Sequence, residues 1–114
     1  MSAVTSSLAE KTCVPCSGAV PPLSEQEIAP LLDQLGSDWV VITNHHLSRT
    51  YKFKNFKQAL AFVVMVGELA EEQRHHPDVY LSWGAVRLEV WTHKIDGLTE
   101  SDFILAAKCD SLSP

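Results

Sequence analysis

The sequence predicts an α+β fold in which a four-stranded antiparallel sheet has helices packed on one face, in the order α-β-β-α-β-β-α. Two pairs of short segments rich in β-branched and aromatic residues are typical of hairpins, and a helix-capping pattern precedes each of three apolar segments. The chain has 114 residues, of which 46% are hydrophobic and 20% charged. That composition is ordinary for a single globular domain.

Capping patterns set the starts of the three predicted helices. Ser24 and Glu27 form a capping box, and Gly36 ends this first helix. Asn55 begins a long second helix that we expect to run to about Arg74, and Thr99 begins the third. The middle of the second helix, residues 59–69, is apolar on nearly every side, whereas a helix covering one sheet needs only a stripe. This surplus predicts a second buried face, and therefore an oligomer.

The strands are predicted at 39–43 and 47–53, joined at an Asn-His-His tip, and at 79–83 and 85–93, joined at Gly84. In the last segment Val86, Leu88 and Val90 alternate with polar or aromatic residues, which is typical of a strand with one face on the core.

The ends of the chain are expected to lie outside the domain. We expect residues 1–22 to be a flexible leader, residues 23–110 to form the domain and residues 111–114 to be a tail. Cys13 and Cys16 form a C-x-x-C pattern in the leader. A structural zinc site needs four ligands, and no second pair is present. We therefore interpret this pattern as functionally silent.

Charge and hydropathy exclude several classes of protein. The formal net charge is −5, and the nine Lys and Arg residues are scattered, which disfavours direct nucleic-acid binding. The longest apolar run, residues 59–67, falls short of the roughly 20 residues that cross a bilayer. The N-terminus lacks the features of a secretory signal, so we expect a cytoplasmic protein with no membrane partner.

The stretch "EEQRHHPDVYLSW", residues 71–83, is the strongest chemical signal. Pro77 disfavours helical backbone at the residue before it, so the long helix should end at or just before His75 and His76. The partial negative charge of a helix C-terminus favours protonated imidazole. Glu71 lies four residues before His75, and its carboxylate is expected to orient that ring.

Two further residues complete a candidate proton-transfer site. His93 ends the last predicted strand, on the face of Arg87 and Glu89, and Asp102 lies three residues after Thr99. Imidazole, with an unperturbed pKa of about 6.5, suits proton transfer at neutral pH.

Simpler interpretations stay open. The paired histidines could be a favourable charge placement, His45 and His46 surface residues, Asp102 a capping carboxylate and Trp39 ordinary core. Three histidines could also ligate a catalytic metal, although adjacent histidines at a helix end rarely converge on one ion.

These residues resemble the pattern of the pterin-4a-carbinolamine dehydratase family, in its bacterial form. The resemblance spans roughly residues 22–109. It is carried by Glu71 with "HHP" (75–77), Trp83, "TH" (92–93), "GL" (97–98) and Asp102, together with Trp39 and the segment 51–71. The leader resembles an extension of some bacterial members.

The resemblance implies dehydration of 4a-hydroxytetrahydropterin to quinonoid dihydropterin by histidine acid/base catalysis, without a metal or organic cofactor. His75, His76 and His93 would then be the catalytic residues, and Glu71 and Asp102 would support them. Trp39, Pro77 and Thr92 would bind the pterin.

The resemblance also implies partners. The reaction regenerates the cofactor of aromatic amino acid hydroxylases, so phenylalanine hydroxylase is an expected partner, and the chain is expected to form a homodimer or homotetramer. Some family members also act as dimerisation cofactors of a transcription factor through the long helix. That regulatory role is the alternative function, and a metal-dependent hydrolase is a second alternative.

Overall fold

The computed structural model describes residues 8–14 and 20–113. Within them the elements are helix α1 (Glu25–Leu35), strands β1 (Val40–Ile42) and β2 (His46–Lys52), helix α2 (Phe56–Gln73), strands β3 (Asp78–Ser82) and β4 (Ala85–Val90), a 3₁₀ turn (His93–Ile95) and helix α3 (Glu100–Leu112). The predicted α+β class is confirmed, and from Glu25 onward the helices and strands follow one another in the predicted order.

The four strands form one antiparallel sheet in the order β1-β2-β4-β3. Leu47 of β2 pairs with Val90 of β4, and Tyr51 pairs with Val86, which puts these apolar side chains on the same face. All four are 3% exposed or less. The alternation predicted for the last strand is therefore confirmed over Ala85–Val90, with Val86, Leu88 and Val90 buried.

Helices α2 and α3 pack against each other and against β4. Helix α2 buries Ala59, Phe62, Val66 and Ala70, a spacing of three and four residues that presents one stripe to the core. Helix α3 is buried over most of its length, including the whole run from Ser101 to Ala106. The C-terminal end of α2 and the N-terminal end of α3 consequently lie close to each other.

The expectation of a flexible leader is wrong for residues 8–14. Leu8 is 1% exposed and Cys13 is 5% exposed, and both belong to the main hydrophobic core. Burial of apolar surface together with several hydrogen bonds to α2 and α3 fixes this stretch against the domain. Cys16 lies outside the described residues. Helix α3 also continues to Leu112, two residues into the predicted tail.

Strand β4 is shorter than the segment 85–93 predicted for it. After Val90 the chain leaves the sheet, and the Thr92 backbone N–H donates to the Gly97 carbonyl at 2.8 Å, closing a loop over residues 92–97. His93 therefore lies in the 3₁₀ turn of this loop and not on the strand face of Arg87 and Glu89. Among the described helices, none is long and apolar enough to cross a membrane.

Candidate active site

Helix α2 ends where the sequence predicts, just before the paired histidines. Arg74 takes a left-handed conformation with φ 55°, and the His75 backbone N–H donates to the carbonyl of Ala70 at 3.2 Å. This is a common way to terminate a helix. Because the chain turns at Arg74, the side chains of His75 and His76 leave the helix in different directions.

His75 is hydrogen-bonded to a buried carboxylate. Its Nε2 lies 2.5 Å from Oδ1 of Asp102, whose side chain is 0% exposed. The other oxygen, Oδ2, accepts hydrogen bonds from the Thr92 hydroxyl at 2.9 Å and from the Thr99 backbone N–H at 2.8 Å. Asp102 is thus both the capping carboxylate of α3 and the partner of His75. A buried charge is tolerated when it is paired and hydrogen-bonded in this way.

Glu71 pairs with His76 and not with His75. Nε2 of His76 lies 2.6 Å from Oε2 of Glu71, and both side chains are more than half exposed. The predicted Glu71–His75 contact is therefore wrong. The four-residue spacing holds only within a regular helix, and the turn at Arg74 carries His75 away toward Asp102.

The third histidine, His93, packs against a tryptophan that was not predicted from the sequence. The ring of His93 stacks on that of Trp91, with centroids 4.3 Å apart and planes 27° apart. The rings of His45 and His46, at the tip of the first hairpin, also contact Trp91. His45 Nε2 lies 2.7 Å from Oδ1 of Asp96, so these residues are not isolated surface histidines.

The three predicted catalytic histidines line one cavity. Its volume is about 300 Å³, near the lower end of the range of small-molecule sites. The lining residues are Arg74, His75, His76, Trp91, Thr92, His93 and Lys94.

The three predicted pterin-binding residues lie in different environments. Trp39 does not line this cavity: it is 2% exposed, and its Nε1–H donates to the carboxylate of Asp110 at 3.0 Å, so it is a core residue. Thr92 lines the cavity, but it is 4% exposed and its hydroxyl binds Asp102. Pro77 is half-buried beside the histidines and is not a lining residue.

Arg74, Trp91 and Lys94 were missed from the sequence. Trp91 directly precedes the "TH" pair and falls on the polar side of the strand alternation, which is the one signal that could have identified it. With Arg74 and Lys94 the cavity wall carries two basic side chains. Within residues 8–14 and 20–113, no group of three or more His, Cys, Asp or Glu side chains is arranged to hold a metal ion.

Cys13 does not line the cavity, and its neighbourhood does not favour a reactive thiolate. Burial is the largest cause that raises its pKa to about 11 from an ordinary 9.0, and the charge of Lys108 opposes this shift. A thiol reacts through its thiolate, so Cys13 is expected to stay protonated and inert at neutral pH.

The fold and the cavity define a small α+β domain with a histidine-lined site suited to acid/base chemistry. Comparison with known proteins gives the family: a family model described as pterin 4 alpha carbinolamine dehydratase matches residues 21–112. The chain belongs to this family.

Individual relatives agree with this assignment. A protein of Rubrobacter xylanophilus, provisionally named a pterin-4-alpha-carbinolamine dehydratase, is 59% identical over 94% of this chain and 99% of its own. A protein of Alkaliphilus metalliredigens with the same provisional name is 57% identical over 90% of this chain and 93% of its own. The crystal structure of a transcriptional coactivator/pterin dehydratase from Brucella melitensis is similar, with a TM-score of 0.76 and 29% identity over 82% of this chain and 99% of that one.

Proposed function

We propose that this protein dehydrates 4a-hydroxytetrahydropterins to quinonoid dihydropterins, releasing water. The observation that carries the proposal is the meeting of three imidazoles, His75, His76 and His93, at one cavity. Family membership, from the match over residues 21–112, supplies the class of substrate.

The reaction requires two proton transfers and no change of oxidation state. The bond between C4a and the hydroxyl oxygen breaks, its electron pair leaves with oxygen, and a protonated group supplies the proton that completes water. A basic group removes the proton from the adjacent ring nitrogen, and the carbon–nitrogen double bond forms. Imidazole titrates near neutral pH, so the same type of side chain serves as acid or base.

Two of the histidines have a carboxylate partner that fixes the orientation of the ring. In His75 and in His76 the Nε2 atom is engaged, by Asp102 and Glu71 respectively, so Nδ1 is the nitrogen left for the substrate. The imidazole of His93 has no hydrogen-bond partner among the described residues, and its stacking on Trp91 fixes the plane of its ring. The indole of Trp91 offers the bicyclic pterin an aromatic wall. We assign to it the part that the sequence argument gave to Trp39.

The chemistry requires neither a metal nor an organic cofactor, because all proton transfers are assigned to side chains. We expect the proposed reaction to take place in the cytoplasm. A pterin-dependent hydroxylase, such as phenylalanine hydroxylase, would use the recycled cofactor.

We also propose that the chain assembles into a homodimer or homotetramer through helix α2. Phe56, Leu60 and Val64 recur every fourth residue on its outer face and are 43%, 43% and 51% exposed. Beside them an apolar hollow of about 450 Å³ is lined by residues that include Phe53, Ala61 and Met65. Exposed apolar surface of this extent on one helix favours association.

A regulatory role as a dimerisation cofactor is the second candidate function. It would use the same face of α2 with a different partner, and the Brucella melitensis relative is named both a coactivator and a dehydratase. An effect on hydroxylase gene expression that persists in an inactive His76→Ala variant would favour this role.

A direct assay tests the dehydratase proposal. We expect wild-type protein to accelerate 4a-carbinolamine dehydration, and His76→Ala and His75→Ala each to lower kcat by about 10² to 10⁴, the range of general acid–base catalysis. Glu72→Gln, an exposed carboxylate next to Glu71, is the matched control and should retain the wild-type rate. The wild-type rate should also survive a chelator. Full activity in both histidine variants, or loss of activity with chelator, would contradict the proposal.

A further inference from the structure

The stretch 8–14, hereafter the N-terminal segment, packs on the domain although it lies outside the residues matched by the family model. The side chain of Leu8 is 1% exposed, within the main core. The ammonium group of Lys108 on α3 donates to the carbonyl of Ala9 at 2.8 Å. These contacts fix the first half of the segment along helix α3.

The second half of the segment is hydrogen-bonded to both helices through its backbone. The Cys13 N–H donates to Oε1 of Gln73 at 3.0 Å. The Val14 N–H donates to the Ser101 hydroxyl oxygen at 2.9 Å, and that hydroxyl donates in turn to the Val14 carbonyl at 3.2 Å. Ser101 is 6% exposed, so water does not readily replace these bonds.

The two side chains that hold the segment stand next to the site. Gln73 is the last residue of α2, two positions before His75, and Ser101 directly precedes Asp102. The segment therefore joins the end of one helix to the start of the other at the point where the His75–Asp102 pair forms.

The junction between the N-terminal segment and the two helices would affect the reaction through the position of His75. Thr92 and Thr99 hold Asp102, but neither of them contacts helix α2 in the described hydrogen bonds. The position of His75 relative to Asp102 depends on how the end of α2 sits against α3. A displacement of about 1 Å can cost about 100-fold in rate when a reacting group is misplaced.

We propose that the N-terminal segment positions His75 for the reaction, with Ser101 and Gln73 as positioning residues that act through the His75–Asp102 pair. The kinetic part of this inference rests on the proposed dehydratase function. The structural part concerns the His75 ring alone and has its own measurement.

The test uses the full-length chain and four variants. Ser101→Ala removes both hydrogen bonds to Val14, and Gln73→Ala removes the bond to Cys13 from the other helix. Ser101→Thr keeps the hydroxyl as the conservative rescue. The matched control is Ser111→Ala, which deletes an exposed hydroxyl on the same helix that donates, within the described part of the chain, to the carbonyl of Ala107. Each variant is checked for folding by circular dichroism and thermal unfolding.

Two readouts separate positioning from stability. We expect Ser101→Ala and Gln73→Ala each to lower kcat by about 10- to 100-fold with KM little changed, while Ser101→Thr recovers most of the rate. The ring ¹⁵N signals of His75, which report its hydrogen bonding to Asp102, should move or broaden in the two alanine variants. Ser111→Ala should match wild type in both measurements.

Unchanged kcat and unchanged His75 ring signals in folded Ser101→Ala and Gln73→Ala would overturn the inference, even if both variants melt at lower temperature. If the wild-type protein shows no dehydration, the proposed function fails, and the His75 spectra still decide whether the segment positions that ring.

Discussion

At the scale of single residues, two carboxylates, the buried Asp102 and the partly buried Asp110, organise the protein in different ways. Asp102 joins His75 to the loop after β4 and contributes to the site. Asp110 accepts hydrogen bonds from the indole of Trp39, from Arg49 and from the hydroxyl of Tyr51, at 2.5 to 3.1 Å. Several donors replace the water that each carboxylate loses on folding.

Buried groups that hold their protons tightly predict a loss of stability at alkaline pH. Burial is the main cause that raises the pKa of Cys13 to about 11 and that of Cys109 to about 12, each from 9.0, and the pKa of Tyr51 is also raised. Above pH 9 the unfolded chain therefore releases protons that the folded chain retains. The stabilisation is complete below pH 9 and is lost as the pH rises through 11.

We expect urea unfolding of the reduced protein to give a free energy of unfolding that falls from pH 9 to pH 11. Replacing Cys13 by Ala should make this fall shallower, whereas Ser111→Ala should leave its slope unchanged. An equally steep fall in Cys13→Ala would show that this thiol does not contribute.

At the scale of elements, the loop over residues 92–97 carries His93 into the site. Its ends are joined by hydrogen bonds between the backbones of Thr92 and Gly97. Next to it, the Leu23 N–H donates to the Leu98 carbonyl at 2.8 Å, so the chain before α1 packs over the loop. A Cβ on Gly97 would lie 2.6 Å from the Cβ of Pro22. Only glycine fits this approach without displacement of the loop.

Gly97→Ala should consequently destabilise the protein by about 1–3 kcal/mol, the usual cost of overpacking, and lower kcat by moving His93. Gly67→Ala is the control: it lies on the exposed face of α2 with nothing within 4 Å of the added Cβ. There alanine should stabilise the helix by roughly 0.5–1 kcal/mol. Urea unfolding and the dehydration assay measure both effects, and a neutral Gly97→Ala would contradict the role given to this contact.

At the scale of the whole molecule, helix α2 has two apolar faces and the domain covers only one. The inner stripe packs on the sheet, whereas Phe56, Leu60 and Val64 face outward. The exposed indole of Trp83 at the β3–β4 turn and the exposed Val79 of edge strand β3 add further apolar surface. A single chain thus leaves several apolar areas in water, which is the physical basis of the proposed assembly.

Light scattering at micromolar concentration should give a mass at least twice the 12.6 kDa of the chain. A double substitution, Leu60→Lys with Val64→Lys, should shift the protein toward the monomer, since it places charges where apolar surface would be buried. Thr50→Lys, an exposed substitution on the outer face of the sheet, should leave the mass unchanged. A monomeric wild type would contradict the proposed assembly.

Much of this architecture follows from local rules. Ser24 and Asn55 mark helix starts, the alternation of Val86, Leu88 and Val90 marks a buried strand face, and Pro77 marks the end of α2 near the histidines. Such signals depend on backbone geometry within a few residues. They can therefore be recognised in the sequence without knowledge of the tertiary structure. The choice of His75, His76, His93 and Asp102 as candidate site residues also came from sequence.

Tertiary structure alone decided how those residues pair. Asp102 is 27 positions from His75, and the left-handed turn at Arg74 assigns Glu71 to His76. Trp39 lies in the core and Trp91 lines the cavity, because burial depends on which strands and helices cover a residue. The N-terminal segment gave no local sign of packing beside the site. Its placement depends on hydrogen bonds to Gln73 and Ser101, which are distant in sequence and meet only when α2 and α3 pack together.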